Sequence, residues 1–323
     1  MEFIKQKTTE DGVLGVDTAL SESEYVYILD CVQLSEKQVF IVSTNTKNNK
    51  LTATLCSIEA TEISAIKTTV ITDAYASMKT CTLKISDNKI LIFYFYNDYY
   101  RYIPCTITEN EIVIGETTQL VYKSGSTYYY IKAFMIGENK AILFYGLSRL
   151  IARIITINED MSLTLGSEVV SDFAPYEYST NLCQLSNDKI IITYMNNNKL
   201  TGIICKISNS SITFGQAVQL SANSYSHIGN SIAKITEDKV IIAHANREYN
   251  YYLTLTICLI KDTEIIVLSS KQTTDIILHS INNTSYKDYF TSIALLSENY
   301  GIVACKAKPN RRIILYTIYN YRR

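Results

Sequence analysis

Carboxylates, histidines, cysteines and tyrosines are the side chains from which this chain could build chemistry. Only three histidines occur, His227, His244 and His279. None belongs to an H-E-x-x-H motif or the close-spaced pair that a catalytic zinc needs. The eight cysteines include no C-x-x-C, and P-loop and G-x-G-x-x-G patterns are absent, so neither a metal nor a cofactor is expected. Paired acids would have to converge from distant segments; Asp98, Glu177, Glu248 and Asp288 are candidates by location. Loop acids are more often simply solvated, which favours binding over catalysis.

Tyrosine is the outlier, with 26 residues beside 9 Phe and no Trp. It clusters with Asn, Asp and Arg in YNDYYRY (96–102), NNNK (196–199) and NREYNYY (246–252). Sugars need this mixture, because their C–H faces stack on rings while their hydroxyls need polar partners. Protein partners use it too. The predicted ligand-binding residues are Tyr96, Asn97, Asp98, Tyr99, Arg101, Asn196, Asn197, Arg247, Tyr249 and Tyr251, joined by Tyr128 and Tyr225. The last two belong to a set (Tyr25, Tyr75, Tyr128, Tyr176, Tyr225, Tyr286) that would serve equally well as wedges between structural repeats.

The elements that must position these residues come from a repeat. QLSNDKIIITY (184–194), KISDNKILIFY (84–94), MIGENKAILFY (135–145) and KITEDKVIIAH (234–244) are variants of one phrase, with weaker copies at 33–43 and 295–305. The apolar residue before the turn gives the register: Leu34, Ile85, Ile136, Leu185, Ile235 and Leu296, spaced 51, 51, 49, 50 and 61 residues apart. Each copy reads as four short strands. A tight S-x-D-K turn joins the first two. The third ends in a recurring Ile (Ile58, Ile107, Ile157, Ile207, Ile260, Ile318), and the fourth carries a Gly, as in ITFGQAVQL (212–220). Four strands in about 50 residues describe a propeller blade. The predicted fold is all-β: a six-bladed β-propeller of four-stranded blades in a single domain, 1–323. The last copy stops after its third strand, and GVLGVDTAL (12–20) overlays ITFGQAVQL with Gly15 on Gly215. An N-terminal strand should therefore complete the last blade and close the ring, removing an exposed edge.

Length varies at one end of the repeat. The turn between strands one and two is constant, whereas the second-to-third connection varies and an insertion, 270–289, precedes the sixth copy. Repeat proteins place insertions on binding faces, so the long-loop face is expected to bind, with Asp87 and Asp188 on the plain face. Basic and acidic residues balance at 30 and 31, for a formal net charge of −1. That excludes the basic excess of a nucleic-acid binder. No apolar run is long enough to insert in a membrane, and MEFIKQKTTEDG lacks the apolar core of a signal peptide. Cys56, Cys105, Cys205 and Cys258 recur at one strand-three position, too far apart to bridge. Buried, reduced thiols are expected, and folding in a bacterial cytoplasm with them.

The L-S-x-D-K-x-x-I-x-Y unit, as at 185–194, together with 200–220 and the Asn, Lys, Ile and Tyr bias, resembles a known group. These are the propeller receptor-binding heads (tail-fibre heads) of phages and phage-tail-like bacteriocins of low-GC Gram-positive bacteria. The resemblance implies recognition of a bacterial cell-surface glycan or surface-layer protein without chemistry. It also implies tail proteins as partners and a place in a virion or tail particle. A free lectin, a hydrolase or lyase on a propeller, and a scaffold for host protein are the other readings.

Overall fold

The runs rich in Ile, Val and Tyr become strands, and the computed structural model contains no other regular element among the residues it describes. Those residues are 2–5, 26–45, 50–59, 62–72, 80–122, 130–146, 149–173, 180–197, 199–208, 210–221, 230–246, 252–277, 291–295, 300–307 and 312–319. The chain opens with β1 (Glu2–Lys5). Contacts divide it into two units, Glu10–Val170, and Met1–Thr9 with Ser171–Arg323. Each holds three antiparallel sheets whose strands follow chain order, save that β1 joins the last of them.

In the first unit, one sheet contains β2 (Val26–Ser35), β3 (Gln38–Asn45), β4 (Lys50–Glu59) and β5 (Glu62–Thr72). The next contains β6 (Thr80–Ser86), β7 (Lys89–Tyr96), β8 (Tyr99–Thr108) and a fourth strand split into β9 (Glu111–Ile114) and β10 (Thr118–Tyr122). The third contains β11 (Tyr130–Met135), β12 (Lys140–Gly146), β13 (Leu150–Ile157) and β14 (Leu163–Val170). The first strands lie side by side, β6 touching both β2 and β11. One apolar core, including Leu34, Phe40, Ile92 and Ile103, fills the space between the first two sheets. Another, including Phe93, Tyr100, Leu143 and Tyr145, fills that between the second and third.

The second unit repeats this plan. One sheet contains β15 (Asn181–Ser186), β16 (Lys189–Asn196), β17 (Lys199–Ser208) and the split pair β18 (Ser211–Phe214) and β19 (Val218–Ser221). The next contains β20 (Ser231–Thr236), β21 (Lys239–Asn246), β22 (Tyr252–Lys261) and β23 (Glu264–Ile277). The last contains β24 (Thr291–Leu295), β25 (Tyr300–Ala307) and β26 (Arg312–Tyr319), with β1 as its fourth strand against β26. β20 touches β15 and β24, and Leu185, Ile191, Ile242 and Cys258 share a core.

Depth in the sheet explains composition. The six interior residues of β7, ILIFYF, are all buried, because both faces are covered by neighbouring sheets. A strand covered on both faces reads as a continuous apolar run. The outer strand β14, by contrast, buries no residue fully. Burying each Leu, Ile or Phe of the inner strands is worth about 1.5–3 kcal/mol.

The recurring phrase is a single hydrogen-bonded device. Ser86 Oγ donates to Asn88 Oδ1 at 2.8 Å, Ser186 Oγ to Asp188 at 2.6 Å, and Thr236 Oγ1 to Asp238 at 2.5 Å. The strand-three Ile then donates its N–H to the carbonyl of that same turn residue: Ile107 to Asn88 and Ile207 to Asp188, both at 2.8 Å, and Ile260 to Asp238 at 2.6 Å. Ile58 and Ile157 make the matching bonds to Lys37 and Asn139. Leu34, Ile85, Leu185 and Ile235, which set the register, are the bulged residues of their strands. Such a bulge adds the twist that lets an ordinary turn close a hairpin. The fourth-strand Gly answers to close approach. A Cβ at Gly166 would stand 2.8 Å from the Ile154 carbonyl oxygen, and at Gly115 it would stand 2.7 Å from Pro104 Cγ.

Side chains on one first strand also cover the edge of the next. Asp30 Oδ2 accepts the Thr82 N–H at 2.6 Å, and Cys81 Sγ accepts the Ala133 N–H at 3.1 Å. Asn181 Nδ2 donates to the Asn230 carbonyl. Lys84 Nζ donates to the Leu34 carbonyl, and Lys234 Nζ makes the equivalent bond to Leu185. Lys132 reaches across to Asp30 at 3.6 Å.

Four expectations change. An N-terminal strand does complete the last sheet, but Phe3 stands opposite Ile318 where the overlay put Gly12; residues 12–20 lie outside the described residues. The segment 96–102 is not a loop, since β8 begins at Tyr99. The first part of the 270–289 insertion lengthens β23 to Ile277, because its Thr and Ile residues suit a strand. Cys31 is exposed, unlike Cys56, Cys81, Cys105, Cys205 and Cys258. Cys31 pairs with Ile41 as Thr82 pairs with Ile92, so it holds the position of Thr82, and Asp30 holds that of the buried Cys81.

Candidate functional site

The second sheet carries five of the twelve predicted ligand residues at one end, Tyr96, Asn97, Asp98, Tyr99 and Arg101. Tyr96 and Tyr99 face each other across a two-residue turn, with Asn97 at φ 48° and Asp98 at φ 62°. Two consecutive positive φ values define the mirror-image turn that matches strand twist, and Asn and Asp tolerate that region. Both turn residues are exposed. Cross-strand pairing then puts Arg101 opposite Tyr94 and Tyr99 opposite Tyr122. Tyr96, Tyr99, Arg101 and Tyr122 thus share one face. Its floor is the apolar core that includes Tyr94, Leu51 and Ile71, against which Tyr96 packs.

The Arg101 guanidinium carbon lies 5.6 Å from the ring centres of both Tyr96 and Tyr99. Tyr99 and Tyr122 meet at 5.1 Å with their planes inclined by 57°. Tyr122 is 58% exposed, so its ring is open to a ligand. Beneath, burial pushes the Tyr94 phenol up, while a hydrogen bond to Thr117 and the Arg101 charge pull the other way. Arg101 itself is half-buried, and its Nε has no hydrogen-bond partner. Chemically, this is a cation framed by flat apolar faces.

Asn196 and Asn197 occupy the equivalent hairpin of the sheet holding β16 and β17, where Asn196 pairs with Lys199 and Asn197 has φ 48°. They belong to the other unit. Tyr128, Tyr225, Arg247, Tyr249 and Tyr251 lie outside the described residues, as do Glu177, Glu248 and Asp288. Tyr122 escaped the sequence reading. A bulge between Gln119 and Val121 brings it opposite Tyr99, and apolar alternation gives no sign of such a shift.

The opposite end of the sheets is not plain. A polar depression of about 490 Å³ is lined by Gln184, Ser186, Asp188, Lys234 and Glu237. Asp188 is thus part of a concavity. Asp87, at the matching turn, is an 81% exposed side chain paired with Lys84 at 2.7 Å. His244 is buried, with Nε2 3.1 Å from Thr256 Oγ1. Among the described residues, no three His, Cys, Asp or Glu side chains gather as a metal would require. No helix there is long and apolar enough to cross a membrane.

No family model matches the chain, and no curated protein does. Solved structures do. The chain resembles the BP39L lectin of Burkholderia pseudomallei at TM-score 0.61 and 8% identity, over 90% of this chain and 81% of that one. It resembles the SapL1 lectin, solved with alpha methyl fucoside, at TM-score 0.52 and 8% identity, over 94% and 98%. A putative 6-phosphogluconolactonase of Bacteroides fragilis matches at TM-score 0.60 and 10% identity, over 93% and 84%. At such identities the likeness concerns fold alone. Four-stranded antiparallel sheets, together with this likeness of fold, are consistent with a β-propeller. Nothing in these likenesses bears on a phage tail or bacteriocin.

Proposed function

We propose that this chain is a glycan-binding protein acting through the Tyr96, Tyr99, Arg101 and Tyr122 face, without chemistry of its own. The observation that carries the reading is the open Tyr122 ring beside Tyr99, set against a half-buried arginine. Rings at this spacing offer stacking area to sugar C–H faces, and the guanidinium offers hydrogen-bond donors. The propeller-like build shared with lectins supports it. In the finer form of the proposal, the six sheets are blades of one closed ring in a single domain. Asn196, Asn197, Arg247, Tyr249, Tyr251, Tyr128 and Tyr225 extend the binding face. The target is a bacterial surface glycan or surface protein, met by a receptor-binding head of a tail particle or by a free lectin that folded in a bacterial cytoplasm.

A glycan array followed by analysis of the retained sugars tests this. Retention of intact glycans, weakened by Tyr122→Ala and Tyr99→Ala, is the expected result. Release of shortened glycans would identify a hydrolase or lyase instead. Retention unchanged in both variants would place the site elsewhere.

A further inference from the structure

The charge at the centre of the site narrows the ligand. Among the described residues Arg101 makes no ion pair, and Asp98, its nearest acid in sequence, makes none with it. Arg153, the other half-buried arginine among the described residues, is paired with Glu168 at 3.6 Å. Among the described residues, tyrosine rings are what lies against Arg101; its Nε is buried without a hydrogen-bond acceptor, as is that of Arg153, so the two differ in the carboxylate alone. Ring quadrupoles offset part of the cost of a half-buried cation, yet they accept no directed N–H bonds of carboxylate strength. Arg153 shows how this chain treats an arginine whose role is internal: it supplies a carboxylate. At Arg101 no described residue supplies that counter-charge, and the adjoining Tyr122 ring is exposed.

We propose that the Tyr96, Tyr99, Arg101 and Tyr122 face selects sugars that carry a carboxylate, the acid pairing with Arg101 while the ring of the sugar stacks on Tyr99 and Tyr122. The inference rests on the glycan-binding reading and adds to it the chemical class of ligand. A neutral sugar can offer the guanidinium hydroxyl oxygens only. A carboxylate offers two acceptor oxygens at the spacing of the guanidinium fork, along with the opposite charge.

The test compares methyl glucuronide, methyl galacturonide and the methyl glycoside of N-acetylneuraminic acid with neutral methyl glucoside and methyl galactoside, by NMR titration of the full chain. At least one acidic sugar should bind ten times or more tighter than the neutral pair. That preference should shrink on raising salt and disappear in Arg101→Gln, where acidic and neutral sugars should bind alike. Arg101→Lys should retain part of it, since charge survives but the fork does not. Folding of each variant is checked by urea unfolding, and Tyr122→Ala serves as a second probe at an exposed position. Neutral sugars binding as tightly as acidic ones would overturn the acidic preference and leave the glycan reading intact. A preference that persists undiminished in folded Arg101→Gln would overturn the assignment to Arg101. No binding by any of the five sugars would overturn the acidic-sugar proposal. Failure of a broad glycan array as well would bring down the glycan reading itself.

Discussion

Asp30→Ala removes the acceptor that covers the edge of the neighbouring sheet. The wild-type carboxylate holds the Thr82 N–H at 2.6 Å and stands 3.6 Å from Lys132 Nζ, with only 17% of its side chain exposed. A hydrogen bond to a charged group is worth about 1.5–3 kcal/mol, and leaving a buried N–H unpaired costs about 1–3 kcal/mol. The ion pair adds little, about 0–1 kcal/mol, because Lys132 is 35% exposed and its charge is screened. Taken as overlapping terms, these predict a loss of about 2–4 kcal/mol. Asp30→Asn keeps an acceptor for Thr82 and should lose less than half as much. Urea unfolding followed by tyrosine fluorescence measures both, the midpoint shifting at constant slope. An Asp30→Ala protein with an unchanged midpoint would refute the reasoning. If Asn proved as damaging as Ala, charge rather than the Thr82 bond would be the source.

Thiols provide a pH signature. Burial pushes Cys105, Cys205 and Cys258 up to about 12. In the unfolded chain they ionise near pH 8.5. Their contribution should therefore be intact below about pH 8.5 and fall away as pH rises toward 12. Replacing all three with Val should flatten the alkaline limb of melting temperature against pH. Cys31 is the exposed thiol among the described residues, so Cys31→Ser should remove one fast equivalent of reaction with Ellman's reagent in the native protein, a loss read directly from the burst amplitude. Gly166→Ala should cost about 1–3 kcal/mol, since backbone 2.8 Å from the new Cβ cannot yield as a side chain would; an unaltered urea midpoint would contradict this. Tyr122→Ala, at an exposed position, should stay within about half a kcal/mol of wild-type stability while weakening glycan retention tenfold or so.

Features fixed by local hydrogen bonds were readable in the chain. The S-x-D-K phrase and the distant Ile recur together because the Ile N–H bonds the turn carbonyl, so neither can drift alone. Cys56, Cys105, Cys205 and Cys258 read correctly as core residues for a related reason: they sit two residues before that Ile, on its face. A bulge defeated the reading elsewhere. The one between Gln119 and Val121 brings Tyr122 to the site, and it inserts a residue without altering composition. The closing strand was placed too late because β1 is only four residues, EFIK, with no Gly to mark it. The 96–102 segment looked like a loop because Asn97, Asp98 and Arg101 crowd in among its tyrosines and interrupt the apolar run of β7. Its Asn-Asp pair, suited to two positive φ values, was the sign of a tight hairpin.

That hairpin has a consequence for kinetics. Tyr96 and Tyr99 are anchored to paired strands on both sides of a two-residue turn, so the rings stand ready before a ligand arrives. Loop side chains lose about 0.5–1.5 kcal/mol each when immobilised on binding; rings held by a ladder have already lost that freedom during folding. Association should then proceed without a slow ordering step, and differences among sugars should appear in how long each remains bound. A face built in this way suits brief, repeated contacts along a polymer, where many weak encounters are rapidly renewed.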